Sequence, residues 1–401
     1  MKKTSKLFFA MLLAGSLSFV GCSEDPEPVT PVVDNGNVIV TQNISANTTW
    51  TSDKVYQLGG RITVLSGATL TIEPGTVIKG EAGTGANATA LLVARGAKLM
   101  AEGTATKPII FTSVADEITK EQVAAGDFKS PNLDPDITGL WGGVLVLGNA
   151  KISASNDNGD LSEVQIEGIP TSDPNGLYGG NNDADNSGVI KYVSIRHGGT
   201  NIGSGNEING LTLGGVGSGT VIENIEIVGN ADDGIEFFGG TVSVKNLLIW
   251  NNGDDAIDTD QSWAGTVDNF VIISPDDNCL ELDGPEGTYK ATHTIKNGGV
   301  ICSDDNLERE SSNTINVDAN TPVNLENIYY TALKAGNTIN RVTAVDVKFT
   351  NIKLDVPAAD LATYVNGDVP AGVTAGGSNF ADLNAFGFTW ANQANAYAAL
   401  K

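Results

Sequence analysis

The acidic run GNADDGIEFFGG at residues 229–240 returns as NNGDDAIDTD at 251–260 and, altered, as SPDDNCLELDG at 274–284. An aliphatic-rich segment precedes each run: VIENIEIV at 221–228, VSVKNLLIW at 242–250 and VDNFVII at 267–273. Their asparagines, Asn224, Asn246 and Asn269, lie 22 and 23 positions apart, and Ile235, Ile257 and Leu280 keep the same interval. A period of about 22 residues is too short for a strand–helix–strand unit of about thirty. It fits a coil of three short strands stacked on its neighbours, so the fold expected is an all-β parallel β-helix solenoid.

The pattern spreads in both directions. Upstream are GRITVLSGATLTIEPGTVIKG at 60–80, ALLVARGAKLMAEGTATKPIIFTS at 90–113 and WGGVLVLGNAKIS at 141–153; downstream, VNLENIYYTALKAGNTI at 323–339 and VDVKFTNIKLDV at 345–356 place Asn327 and Asn351 before apolar residues. The solenoid is therefore expected over 38–356, with inserted loops at 114–138 and 154–187 and a capping segment at 357–401 that covers the last coil. Asparagine suits the bends because it tolerates left-handed backbone angles. Stacked once per coil, Asn224, Asn246 and Asn269 should hydrogen-bond as a ladder.

Strands in a sheet sit about 4.8 Å apart, so the acids should stack as well. Glu236, Asp258 and Glu281 form one expected column, and Asp233, Asp255 and Asn278 another. Alternation with the inward Ile235, Ile257 and Leu280 points the first column toward solvent. Three readings of these acids stay open. They shape the bends and remain wet; or Asp232, Asp233, Asp254, Asp255, Asp276 and Asp277 hold calcium, a hard cation that takes several oxygen ligands; or Asp233, Asp255 and Asp258 act on a sugar together with His197 and Arg196. An acid catalyst needs a carboxyl with a raised pKa, which solvent-facing columns do not supply.

The chain begins MKKTSKLFFAMLLAGSLSFVGC, with Lys2, Lys3 and Lys6 ahead of an apolar stretch from Leu7 to Val20. That stretch has secretory-signal length and falls short of a comfortable membrane span. Residues 1–21 are read as a lipoprotein signal peptide, Cys22 as the acylated first residue, and 22–37 as an acidic, proline-rich tether. The expected location is the outer membrane, facing outward, with contact to the bilayer through the lipid anchor alone.

Formal charge is -25, and removing three lysines with residues 1–21 leaves -28. Such a chain does not seek nucleic acid. It suits divalent cations, basic partners and neutral glycans. Cys279 and Cys302 are 23 positions apart, so either a disulfide between adjacent turns or two buried thiols fits. Trp263, in the polar stretch DTDQSWAGT, is the best candidate for stacking on a sugar ring.

The repeat resembles the right-handed parallel β-helices of pectate lyases and polygalacturonases over most of 38–356. Calcium is a common partner of lyases with this architecture. Transfer of the polygalacturonase residues is poor: Asp232–Asp233 or Asp254–Asp255 could stand for its aspartate pair, but His197 lies upstream in RHGG and no R-x-K follows. The stretches GATLTIEPGTVIKG (67–80), GLWGGVLVLGNAKI (139–152), IKYVSIRHGG (190–199) and DDGIEFFGG (232–240) resemble a family of uncharacterised Bacteroidota surface lipoproteins more closely, and Glu24 and Asp25 resemble that phylum's surface-export signal. The expected role is noncatalytic binding or adhesion toward a glycan or protein partner. A polysaccharide lyase or glycoside hydrolase is the alternative, and a calcium-stabilised accessory subunit of an outer-membrane complex a further one.

Overall fold

The computed structural model describes residues 33–34, 36–83, 85–203, 206–304, 309–344 and 346–401. The signal segment, Cys22 and the tether up to residue 32 lie outside them. Among the described residues, no helix is long and apolar enough to cross a membrane.

Two long parallel sheets wrap one continuous core. The first stacks nine short strands, among them Val144–Leu147, Leu211–Gly214, Ile235–Phe238, Ile257–Asp260 and Leu280–Leu282. The second has sixteen strands and changes character along the axis. In the early coils, Lys98–Glu102 and Ile109–Ser113 are separate strands; both pair with Gly188–Arg196, one with its first half and one with its second. From there each coil fuses two strands into one long one: Val221–Val228, Val244–Trp250, Thr266–Ile273, His293–Ile301, Val323–Thr331 and Val347–Leu354. The three-strand coil is thus present, with two of its strands joined through a single bend residue.

That bend residue is Tyr192 in the first long strand, then Asn224, Asn246, Asn269, Asn297, Asn327 and Asn351, all with φ between 50° and 64°. Left-handed backbone disfavours residues with a bulky Cβ substituent, whereas asparagine bonds locally and enters it readily. The amides also stack: Asn246 Nδ2 donates to Asn224 Oδ1 at 2.8 Å and Asn269 Nδ2 to Asn246 Oδ1 at 2.7 Å. A second run links Asn297, Asn327 and Asn351 at 3.0 and 2.9 Å. Between the two runs the ladder breaks. Asn297 turns to Asp268 Oδ1 at 2.7 Å, and Asn269 accepts the N–H of Asp382 at 2.7 Å.

Inside, like stacks on like. Ile195, Ile227, Ile249 and Ile272 follow one another in register, each at most 1% exposed. Where a large side chain intervenes, its neighbour is small: a Cβ on Gly298 would sit 2.1 Å from the Phe270 ring, its neighbour in the next strand. Trp50, stacked on Tyr56 at 4.8 Å, belongs to the core near the N-terminal end.

The expected cap divides in two. Val373–Ala375 pairs with the last long strand, and Val365 and Val373 join the core there. Residues 379–401 instead run back along the outside of the long-strand sheet. Phe386, Trp390, Tyr397 and Leu400 pack on outward-facing Val228, Trp250, Ile273, Ile301 and Tyr329. The correction has a simple cause: those second halves present an apolar outer face that needs cover as much as the last coil does.

Replacing Asn246 by Ala removes two ladder bonds, worth about 1 kcal/mol each, and leaves a Cβ-bearing residue in left-handed backbone at about 1–2 kcal/mol. Chemical denaturation should show a loss of about 3–4 kcal/mol. Asn246→Gly should recover the backbone share alone; equal losses in the two variants would contradict this division.

Candidate functional site

The short-strand sheet carries the acids, in the register read from the repeat: Glu236 pairs with Asp258, and Asp258 with Glu281. The second column is stitched by its own backbone. Asp233 Oδ1 accepts the N–H of Asp255 at 3.0 Å, and Asp255 Oδ1 accepts the N–H of Asn278 at 2.5 Å. A short acid at this position therefore caps the equivalent residue one coil on, which explains its recurrence.

Solvent exposure departs from expectation. Glu236, Asp233 and Asp255 are only 5%, 7% and 3% exposed. They do point away from the apolar core, but Glu236 lies against Glu167 of the insert and Asn209, while Asp233 and Asp255 are enclosed by the backbone and acids of the adjacent coils. The insert at 154–187 folds into small hairpins, and its Ile166, Ile169 and Tyr178 pack with Ile208 onto Leu145, Leu147 and Phe238. Glu167 from that insert joins the row. Neither Glu167 nor Asn209, whose amide nitrogen donates to Glu236 Oε2, stood out in the sequence: Glu167 lies outside the repeat, and Asn209, which the register places one coil before Asp233, could have been found by extending the Asp233/Asp255/Asn278 column upstream.

Burial raises the pKa values of the enclosed carboxyls. Glu167 reaches about 7, with the charge of Asp232 adding to burial, and Asp232 itself about 7, with Asp254 adding. Asp260 is pushed to about 7, and Asp254 and Asp283 to about 6, each by burial first and neighbouring acids next. Asp255 rises to about 11 through burial and its contact with Glu281; Asp233, Glu236 and Asp258 are driven up in the same way. Like charges one strand apart repel unless protons or a cation intervene.

The donor set fits a hard divalent cation. Ligand oxygens lie within 4.8 Å of one another in three groups: Asp232, Asp233 and Asp254; Asp233, Glu236 and Asp258; Asp254, Asp255 and Asp277. Asp258 Oδ1 is buried without a hydrogen-bond donor, a gap that a cation fills. Asp276 is exposed and belongs to none of these groups, although it stands beside Asp277.

The remaining candidates are drawn elsewhere. His197 is fully buried at a left-handed bend, not projecting into a groove; its Nδ1 donates to the carbonyl of Ile137 at 2.7 Å, and burial lowers its pKa. Arg196 is buried too. Its Nε donates to Ser194 Oγ at 2.7 Å, an Nη lies 3.6 Å from Glu226, and the ring of Trp390 covers it. Both sit beneath the C-terminal segment, on the other sheet from the acids. Trp263 is a core residue: it stacks on Phe237 at 4.0 Å, and its Nε1 donates to the carbonyl of Val242. Its polar sequence neighbours misled because they form the turn around it. Cys279 and Cys302 are buried thiols with Sγ atoms 4.0 Å apart, and no disulfide joins them.

Residues 42–391 match a family model described as the pectate-lyase-like β-helix domain. No curated protein and no solved structure matches the chain.

The raised pKa values fix the sign of a pH effect. Unfolded carboxyls titrate near about 4, so between about pH 4 and 7 the folded chain keeps protons that the unfolded chain has released. The stability they contribute is whole below about pH 4 and is lost as pH rises through 6–7. In chelator, the thermal midpoint should fall from about pH 5 to pH 8; a rising midpoint over that interval would contradict the burial of these acids.

Proposed function

The chain belongs to the family of pectate-lyase-like β-helix domains, and we propose that this member is a noncatalytic surface lipoprotein that binds a glycan or protein partner. The observation that carries this reading is the separation of the chemistry. The acids lie in one row on the short-strand sheet, while His197, Arg196 and Trp263 are sealed within or beneath other parts of the chain. A site that cleaves sugars wants such groups converging on one substrate.

Anchorage is inferred from the lipoprotein-like start: acylation of Cys22 after removal of 1–21, in a protein akin to Bacteroidota surface lipoproteins, with 22–37 as tether. Calcium is the cation that suits the row. Asp233, Glu236, Asp255 and Asp258 would hold it on the inner side, and Asp232, Asp254 and Asp277 toward solvent. Bound there, it would neutralise the stacked carboxylates and offer coordination to oxygens of a ligand. A calcium-stabilised subunit of an outer-membrane complex is the same reading with a protein as the partner.

One observation favours the enzymatic alternative, a glycoside hydrolase. Asp232 and Glu167 titrate near neutrality, and a carboxyl that keeps its proton at neutral pH is what a general acid requires.

A glycan-array and depolymerisation screen with and without calcium separates these readings. Calcium should raise the thermal midpoint at about pH 8 and flatten its pH dependence; Asp258→Asn should weaken that response several-fold. Ligand capture without product release supports the binding reading. Product release abolished by Asp232→Asn would replace it with the enzymatic one, and indifference to calcium would remove the cation.

A further inference from the structure

We propose that the outer face formed by the first halves of six long strands docks a second copy of this chain, antiparallel, about a two-fold axis between Lys245 and Asp268. The inference stands apart from the ligand reading above, because it concerns the other sheet.

Two outer faces of the coil are covered by the chain itself. The second halves of the long strands lie under residues 379–401, and part of the short-strand sheet lies under the insert. The first halves are left open. On them, six residues occupy one column in consecutive register: Lys191, Glu223, Lys245, Asp268, Lys296 and Glu326. All six are partly or fully exposed. Their charges alternate at every step, and the strip is neutral within a chain of formal charge -25. Glu102 precedes Lys191 in register, but there the strand stops and the chain turns away through Thr104 and Lys107, so the continuous face begins at Lys191.

Read backward, this string is its own complement. An antiparallel copy sets Lys191 against Glu326, Glu223 against Lys296 and Lys245 against Asp268, each contact occurring twice, as an isologous interface requires. Pairing within the chain leaves the strip unfinished. Lys191 meets Glu223 at 3.2 Å and Lys296 meets Asp268 at 3.5 Å, both pairs about one-third exposed. Lys245, at the centre and exposed, has no ion pair among the described residues. A groove of about 440 Å³ runs beside it, bordered by the hydroxyls of Ser218, Thr241 and Ser243, and gives the partner's lysine side chains room to lie flat. Six rungs span about 24 Å at the usual strand spacing.

Sedimentation equilibrium of the full chain in chelator tests this. At about 0.15 M salt, screening over about 8 Å hides the net charge of each copy while leaving contact pairs in place. The unsubstituted chain should form a dimer. K245E and D268K should each weaken it at least about tenfold, because each reversal acts twice across the two-fold, with thermal midpoints showing that both variants fold. An equimolar mixture of the two should dimerise again, since the new acid at 245 then faces the new lysine at 268. The neutral variants K245Q and D268N should each weaken the dimer, and their mixture should recover only part of it, because the mixed dimer keeps one of the two Lys245–Asp268 contacts. A monomeric unsubstituted chain, or a mixture that behaves as the average of its two components, would overturn the proposal.

Discussion

The rung spacing of a parallel sheet governs this molecule. Because each coil is hydrogen-bonded to the next at about 4.8 Å, almost every side chain has its own structural equivalent as nearest neighbour. Isoleucine stacked on isoleucine gives a close-packed core, and asparagine stacked on asparagine satisfies both ends of its amide. The same rule places acid on acid, where stacking is unfavourable, and the fold compensates with backbone N–H donors, Asn209 and raised pKa values. Alternating charge in a neighbouring column is the other solution to the same constraint.

How much of this was legible in the sequence follows from that spacing. Where neighbours in space are also equivalents in the repeat, counting residues was enough: the three-strand coil, the asparagine ladder and the register of Glu236, Asp258 and Glu281 could all be read from a 22–23-residue interval. Asn297 was missed because the loop before it lengthens the interval. Burial of Glu236 was not legible, because Glu167 beside it comes from an insert with no periodic relation to the coil. The burial of His197, Arg196 and Trp263 was not legible either. Their cover, Trp390 and Phe237 among others, is distant in sequence, and polarity of flanking residues reports on the turn rather than on the side chain it encloses.

The two sheets divide the chemistry between them. The short-strand sheet collects oxygen ligands beneath an insert, in an environment where a carboxyl is kept neutral or matched with a cation. The long-strand sheet holds an apolar half sealed by the C-terminal segment and a charged half left open. Arg196 and Glu226 lie at that seam 3.6 Å apart; the Ser194 hydroxyl accepts from Arg196 Nε and donates to Glu226, and the N–H of Ala391 donates to Glu226 as well. Burying such a pair is costly unless its hydrogen bonds are completed; the C-terminal segment supplies one to Glu226 and the face of the Trp390 ring to Arg196, whose two Nη atoms make no hydrogen bond.

That segment also carries timing information. Its contacts run from Glu226 in an early long strand to Tyr329 in a late one, and its anchor at Asn269 falls where the amide ladder is interrupted. A solenoid can otherwise be assembled one neighbour at a time. Here residues 379–401 fit only a stack that is already several coils high, so they act as a gauge of completion: until those coils are in place the segment has no seat, and Trp250 and Ile273 stay bare.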